Sequence, residues 1–158
     1  MKLTARDVME TRFWTLKPEM RIAEALGLFR EARREQGQTV FGMMVTDEEG
    51  RLLGMFSLYD VLLLLRPKHI HIWGEMEDLE VSGILEEACR RARGVLVGDV
   101  MTTEVITVTP DTHILAIIDI MIKKHIRRLP VLDQGRIQGL VYLSRVFDRL
   151  LDRLVVGG

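Results

Sequence analysis

The sequence has little cysteine: Cys89 is the single one in 158 residues. No internal disulfide can form, which excludes a disulfide-stapled scaffold. Long apolar runs are missing too. Val61–Leu65, as long as any in the chain, falls far short of the roughly 20 residues a membrane helix needs. No sign of charge dominates: the formal net charge is −1, so nothing global draws the chain to nucleic acid or an anionic membrane. Met1-Lys2-Leu3-Thr4-Ala5-Arg6-Asp7 lacks the apolar core of a secretion signal. These absences point to the cytoplasm. Catalytic signatures are missing as well: there is no nucleophile elbow, Walker loop, zinc spacing or Cys/His pair of known type. The expectation is a chain that is not an enzyme and needs no catalytic cofactor. His69-Ile70-His71 has no third ligand nearby in sequence, and residues two apart share a face only on a strand, so no metal is expected. What is present is 47% apolar and 28% charged residues, enough for a real core under a charged surface.

The chain repeats itself. Val8-Met9-Glu10-Thr11 is echoed by Val100-Met101-Thr102-Thr103, and Thr15-Leu16-Lys17-Pro18-Glu19 by Thr107-Val108-Thr109-Pro110-Asp111, at a constant offset of 92. Further on, Gly50-Arg51-Leu52-Leu53-Gly54 answers to Gly135-Arg136-Ile137-Gln138-Gly139 at an offset of 85. The second copy is thus seven residues shorter, mostly around Arg34–Thr39. Two copies of one supersecondary unit are implied, neither able to bury its apolar faces alone.

Each copy reads as β-α-β-β-α. In the first, a strand over Phe13–Leu16 precedes Lys17-Pro18-Glu19, a good opening for a helix from Arg21 to Glu35. Ile22, Ala25, Leu26, Phe29 and Ala32 make its apolar stripe. Strands over Phe41–Val45 and Leu52–Phe56 flank an Asp47–Gly50 turn, and a closing helix starts near Leu58. The second copy predicts strands at Val105–Val108, Leu129–Leu132 and Ile137–Tyr142. Its helix stripes are Ile114, Ile117, Ile118, Met121, Ile122 and then Leu143, Val146, Phe147, Leu150, Leu151, Leu154. Between the copies, Val81, Ile84, Leu85, Ala88, Cys89 and Ala92 fall at helical spacing and predict an amphipathic connecting helix. The expected organisation is one repeat over residues 1–66, a connecting segment over 67–94 and a second repeat over 95–158. The fold class is α+β.

This order of elements resembles the CBS domain, named after cystathionine β-synthase, and its tandem form, the Bateman module. The residues that carry the likeness are Val8-Met9 and Val100-Met101, Pro18-Glu19 and Pro110-Asp111, and the stretch Arg127-Arg128-Leu129-Pro130-Val131-Leu132-Asp133 followed by Gly135-Arg136-Ile137-Gln138-Gly139-Leu140-Val141. The resemblance implies two repeats packed through their sheets with pseudo-twofold symmetry, binding AMP, ADP, ATP or S-adenosylmethionine in clefts between them. It also implies a regulatory, energy-sensing role exercised on a partner protein.

Residues then take expected roles. Gly54, Ser57 and Asp60 match the family's Gly-x-x-Ser/Thr-x-x-Asp element, whose carboxylate receives the ribose hydroxyls. Read without the family, Ser57 is a helix cap and Asp60 a first-turn acid. The second copy has Gly139, Tyr142 and Arg145 at these positions, so its cleft, with Thr107, is expected to be degenerate. Lys123, Lys124, His125, Arg127 and Arg128 suit a helix C-terminus; the family reading makes Arg128, Arg127, His125 and Lys124 a phosphate clamp beside Pro130. Trp14, Thr15, Leu16, Met43, Met44, Val105 and Ile106 are candidates to cradle an adenine. Self-association into a homodimer through the closing helices is expected, because Val61–Leu65 is apolar on every side. The competing expectation is a ligand-free dimerisation and interaction module. Nucleic-acid binding through the small basic cluster is weaker.

Overall fold

The computed structural model describes residues 2–37, 39–66 and 78–156. His69, His71 and Trp73 lie outside them. The elements run α1 (Ala5–Val8), β1 (Thr15–Leu16), α2 (Ile22–Gln36), β2 (Gly42–Thr46), β3 (Leu52–Ser57), α3 (Leu58–Leu65), α4 (Asp78–Arg93), α5 (Val97–Val100), α6 (Ile114–Lys124), β4 (Arg128–Asp133), β5 (Arg136–Tyr142) and α7 (Leu143–Val156). The first copy's β-α-β-β-α order and the connecting helix are therefore present, and the second copy keeps the same order without its first strand.

The chain divides into two compact units, and they do not coincide with the two sequence copies. One comprises Met1–Phe13, Glu49–Leu52 and Glu104–Gly158; the other comprises Trp14–Glu48 and Leu53–Thr103. Each copy's leading segment thus belongs to the other copy's unit. The first unit's core unites Leu3, Ala5 and Val8 with Ile114, Ile117, Met121, Leu129, Val131, Val141 and Val146. The second unites Val97 with Leu16, Ile22, Ala25, Phe29, Met43, Val45 and Phe56. Phe29 and Phe56 meet edge to face, centroids 6.1 Å apart, a favoured aromatic geometry.

The exchange is written in backbone hydrogen bonds that repeat at the offset of 92. In the first unit, Ala5 N–H donates to Thr112 O at 2.8 Å, Arg6 N–H to Pro110 O at 3.0 Å, and Ile114 N–H to Leu3 O at 2.9 Å. In the second, Val97 N–H donates to Met20 O at 2.8 Å, Gly98 N–H to Pro18 O at 2.9 Å, and Ile22 N–H to Val95 O at 2.9 Å. These are the same three bonds with the copies interchanged. A buried peptide group needs such a partner, and here the partner always comes from the other copy.

In the second unit, β1, β2 and β3 form a sheet in that order, with β1 parallel to β2 through Thr15–Met44 and Leu16–Val45. The first unit pairs β4 and β5 antiparallel. The strand predicted at Val105–Val108 is absent; a single parallel bridge, Val108–Val131, remains. The cause is Pro130. Val108 N–H donates to Pro130 O and Leu132 N–H to Val108 O, so the next rung requires an N–H on residue 130. Proline has none, whereas Met44 occupies that place in the other unit. The connecting helix α4 packs on α2 and α3, burying Ala88 and Ala92 but leaving Leu85 exposed. Leu85 therefore departs from the buried stripe its spacing predicts.

Candidate functional site

The β3–α3 junction is built by one reciprocal motif. Ser57 is the N-cap of α3 in extended conformation. Its Oγ accepts from the Asp60 N–H at 3.3 Å and donates to Asp60 Oδ2 at 3.2 Å, while the Ser57 N–H donates to the same Oδ2 at 2.9 Å. This capping box satisfies donors that the helix start leaves orphaned. It also commits one carboxylate oxygen and locks the side chain. Among the described residues, Oδ1 of Asp60 has no donor, and the residue is half-buried. The capping and ligand readings of Asp60 are thus compatible: one oxygen holds the helix and the other is left to accept. Leu58 N–H, the first of α3, donates to Phe41 O at 2.9 Å, anchoring the junction to the segment before β2.

Gly54 sits three residues earlier for a packing reason. A Cβ there would lie 2.5 Å from Thr102 O and 3.0 Å from Met101 Sδ, because Met55 and Thr102 exchange backbone hydrogen bonds of 2.9 and 2.8 Å. The segment after α5 runs directly against β3. Gly139 repeats this in the first unit, where a Cβ would lie 2.7 Å from Glu10 O and 3.1 Å from Met9 Sδ, with Glu10 and Leu140 exchanging bonds of 2.8 and 3.0 Å. The repeated Val-Met motifs are therefore the surfaces on which the two glycines rest.

The corresponding β5–α7 junction differs in chemistry. Leu143 N–H donates to Arg127 O at 2.8 Å, as Leu58 does to Phe41, but Tyr142 and Arg145 stand where Ser57 and Asp60 form the capping box. Arg145 Nη1 instead donates to Glu10 Oε2 at 3.1 Å. Tyr142 stands opposite Arg128 in the β4–β5 ladder. Burial pushes the Tyr142 phenol above its ordinary value, against the pull of the Arg128 guanidinium, and Glu10 pushes the same way as burial. The phenol stays neutral at physiological pH.

The remaining candidates divide between the units. Thr15 lies in β1, half-buried, in the same unit as Ser57 and Asp60. Leu16, Met43 and Met44 are fully buried there. Lys124, His125, Arg127, Arg128, Pro130 and Thr107 belong to the other unit. His125 is the C-cap of α6 with φ 53°, which turns the chain from the helix toward β4, and Lys124 and Arg127 beside it are exposed. Lys123 pairs with Asp119 one turn back at 3.3 Å, an exposed contact. Pro130 is buried in β4 and gives its carbonyl to Val108. Glu10 is the residue that sequence reasoning missed. Its signal was available: position 10 is acidic where its counterpart Thr102 is neutral, and position 145 is basic where its counterpart Asp60 is acidic.

Comparison with known proteins agrees with this fold. A family model for the CBS domain matches residues 5–67 and 97–152. The chloroplastic CBS domain-containing protein CBSX1 of Arabidopsis thaliana is 28% identical over 144 residues, covering 83% of this chain and 56% of its own length. The chain spans little more than half of that relative. The CBS domain-containing protein YhcV of Bacillus subtilis is 26% identical over 141 residues, covering 89% of this chain and 81% of its own. Among solved structures, CBSX2 in complex with AMP superposes with a TM-score of 0.69 at 26% identity, over 94% of this chain and 96% of that one.

Proposed function

The chain belongs to the CBS domain family, with two repeats in tandem, and from this we propose that it is a non-catalytic regulatory module that binds an adenosine nucleotide and signals its occupancy to a partner protein. The observation that carries the proposal is Asp60: a carboxylate held rigid through Oδ2, with Oδ1 free of donors among the described residues. Ribose hydroxyls are donors in search of such an acceptor, and a preformed acceptor avoids the ordering cost of binding. The complex of CBSX2 with AMP supports the choice of ligand class. Thr15 shares the unit of Asp60. Lys124, His125, Arg127 and Arg128 supply the cations a phosphate needs, and AMP, ADP and ATP all fit that description, with S-adenosylmethionine as a cationic alternative. No helix among the described residues is long and apolar enough to cross a membrane, and action in the cytoplasm accords with the lone Cys89.

A thermal-shift panel tests this directly. AMP, ADP, ATP and S-adenosylmethionine are each added at millimolar concentration. At least one is expected to raise the melting temperature, since a ligand bound only by the folded state stabilises it by RT ln(1 + [L]/Kd), about 2.7 kcal/mol at one hundred times Kd. A flat response to all four would favour the second reading, a ligand-free interaction module, which draws its support from Tyr142 and Arg145.

Both readings include a homodimer formed through the closing helices. On α3, Tyr59, Leu62 and Leu63 are exposed, and on α7 so are Leu143, Phe147, Leu151, Leu154 and Val155. Patches of this kind mark association surfaces. Sedimentation is expected to show a dimer at micromolar concentration. The double change Leu62→Asp and Leu154→Asp should convert it to a monomer, because each aspartate would be buried without a partner. A wild-type monomer would refute the dimer.

A further inference from the structure

Helix α7 presents Arg145 and Arg149, one turn apart and so on one face, to the segment that ends α1. Arg145 Nη1 donates to Glu10 Oε2 at 3.1 Å, and Arg149 Nη1 donates to Asp7 O at 3.3 Å. The second oxygen of Glu10, Oε1, accepts from the Arg12 N–H at 3.0 Å. The Glu10 backbone is fastened to Leu140 on both sides. All these residues lie in one unit.

The other unit has the same backbone frame without the charges. There Thr102 takes the place of Glu10, Asp60 that of Arg145, and Leu64 that of Arg149. One junction therefore leaves a carboxylate oxygen without a donor among the described residues. At the other, the carboxylate comes from the chain's own leading segment and each of its oxygens already accepts one donor. We propose that Arg145 and Arg149 form a built-in clasp on the N-terminal segment, in which Glu10 is turned onto Arg145 and the Arg12 N–H and so is not presented to a ribose at the β5–α7 junction. The clasp makes the chain one-sited: nucleotide is received at the Asp60 junction, and the Arg145 junction is held by an internal contact instead. This rests on the proposed nucleotide binding at Asp60. The ion pair is half-exposed, with Arg145 at 46% and Glu10 at 31%. Such a pair stabilises little by itself; its effect lies in which hydrogen-bonding groups it uses up.

The test restores the first junction's residues at the second. The triple variant Glu10→Thr, Tyr142→Ser, Arg145→Asp is titrated with AMP and with ATP by calorimetry beside wild type and Asp60→Ala. Expected stoichiometries are one nucleotide per chain for wild type, none for Asp60→Ala and two for the triple variant. Wild type binding two per chain, or a folded triple variant binding no more than wild type, overturns the clasp. Wild type binding none while the triple variant binds one overturns the Asp60 reading and leaves the clasp standing. Should the triple variant not fold, amide NMR of wild type decides. Saturating AMP is expected to shift Ser57 and Asp60 and leave Tyr142 and Arg145 in place. Shifts at the latter pair overturn the clasp, and shifts at neither pair overturn the Asp60 reading on which it rests.

Discussion

Asp60→Asn is expected to abolish nucleotide-dependent stabilisation while leaving the fold intact. The capping box makes this substitution unusually informative. Ser57 N–H donates to Oδ2 at 2.9 Å, so the asparagine must turn its oxygen to that donor to keep α3 capped. Its NH₂ group then points where Oδ1 now lies, and a donor faces the ribose hydroxyls in place of a charged acceptor. A hydrogen bond to a charged group is worth about 1.5–3 kcal/mol. Losing that interaction and substituting a mismatched donor corresponds to an affinity loss on the order of 10²-fold. Calorimetry with the nucleotide that wild type binds gives the number. The unliganded melting temperature should stay near that of wild type, because the cap survives. Unchanged affinity in a folded Asp60→Asn protein would show that Asp60 serves the helix alone.

The second large effect concerns Gly54. Alanine there is expected to lower the melting temperature by several degrees, while alanine at Gly27 is not. The added methyl at position 54 would lie 2.5 Å from Thr102 O, a backbone atom fixed by the Met55–Thr102 pair. Backbone cannot swing aside as a side chain can, so the strand and the segment after α5 must separate. Overpacking of this kind costs about 1–3 kcal/mol. In a chain of this size each kcal/mol moves the midpoint by about 2–4 °C, which gives a fall of about 2–12 °C. Gly27, inside α2, has nothing within 4 Å of an added Cβ. Alanine there is expected to stabilise by about 0.5–1 kcal/mol through its better helix propensity. Thermal unfolding of both variants is the measurement. Equal midpoints for the two would show that β3 and the Thr102 segment are not held together as described.

Much of this was legible before any coordinates. The repeat at offsets of 92 and 85 identified two copies of β-α-β-β-α and the family they belong to. Apolar stripes such as Ile22, Ala25, Phe29 and Ala32 are buried as their spacing requires. Ser57 caps α3, and Asp60 sits in its first turn, because a small hydroxyl before an apolar run is a local signal with a local cause. Two kinds of expectation failed for non-local reasons, the Val105–Val108 strand and the burial of stripe residues such as Leu85, Ile122, Phe147 and Leu154. Val105–Val108 has strand-like residues, but its partner at position 130 is a proline that lacks the donor. Leu85 falls at helical spacing with Ala88 and Ala92 yet stays exposed, because spacing defines a stripe and the elements packed beside it define its width.

By itself the sequence determined which residues are alike: the paired Val-Met motifs, the paired glycines, and the contrast of Ser57 and Asp60 with Tyr142 and Arg145. Only the tertiary structure decided which copy's core each segment joins. Similarity between copies is silent on this, since the first leading segment carries the same motif whether it packs on its own copy or on the other. The hydrogen bonds from Ala5 to Thr112 and from Val97 to Met20 settle it, and they bring Glu10 to Arg145 across 135 residues of chain. The contrast at the two junctions was visible as a substitution of residue types. That one junction holds a charge pair within its own unit, while the other leaves an oxygen of Asp60 without a donor among the described residues, depends on geometry that no local pattern encodes.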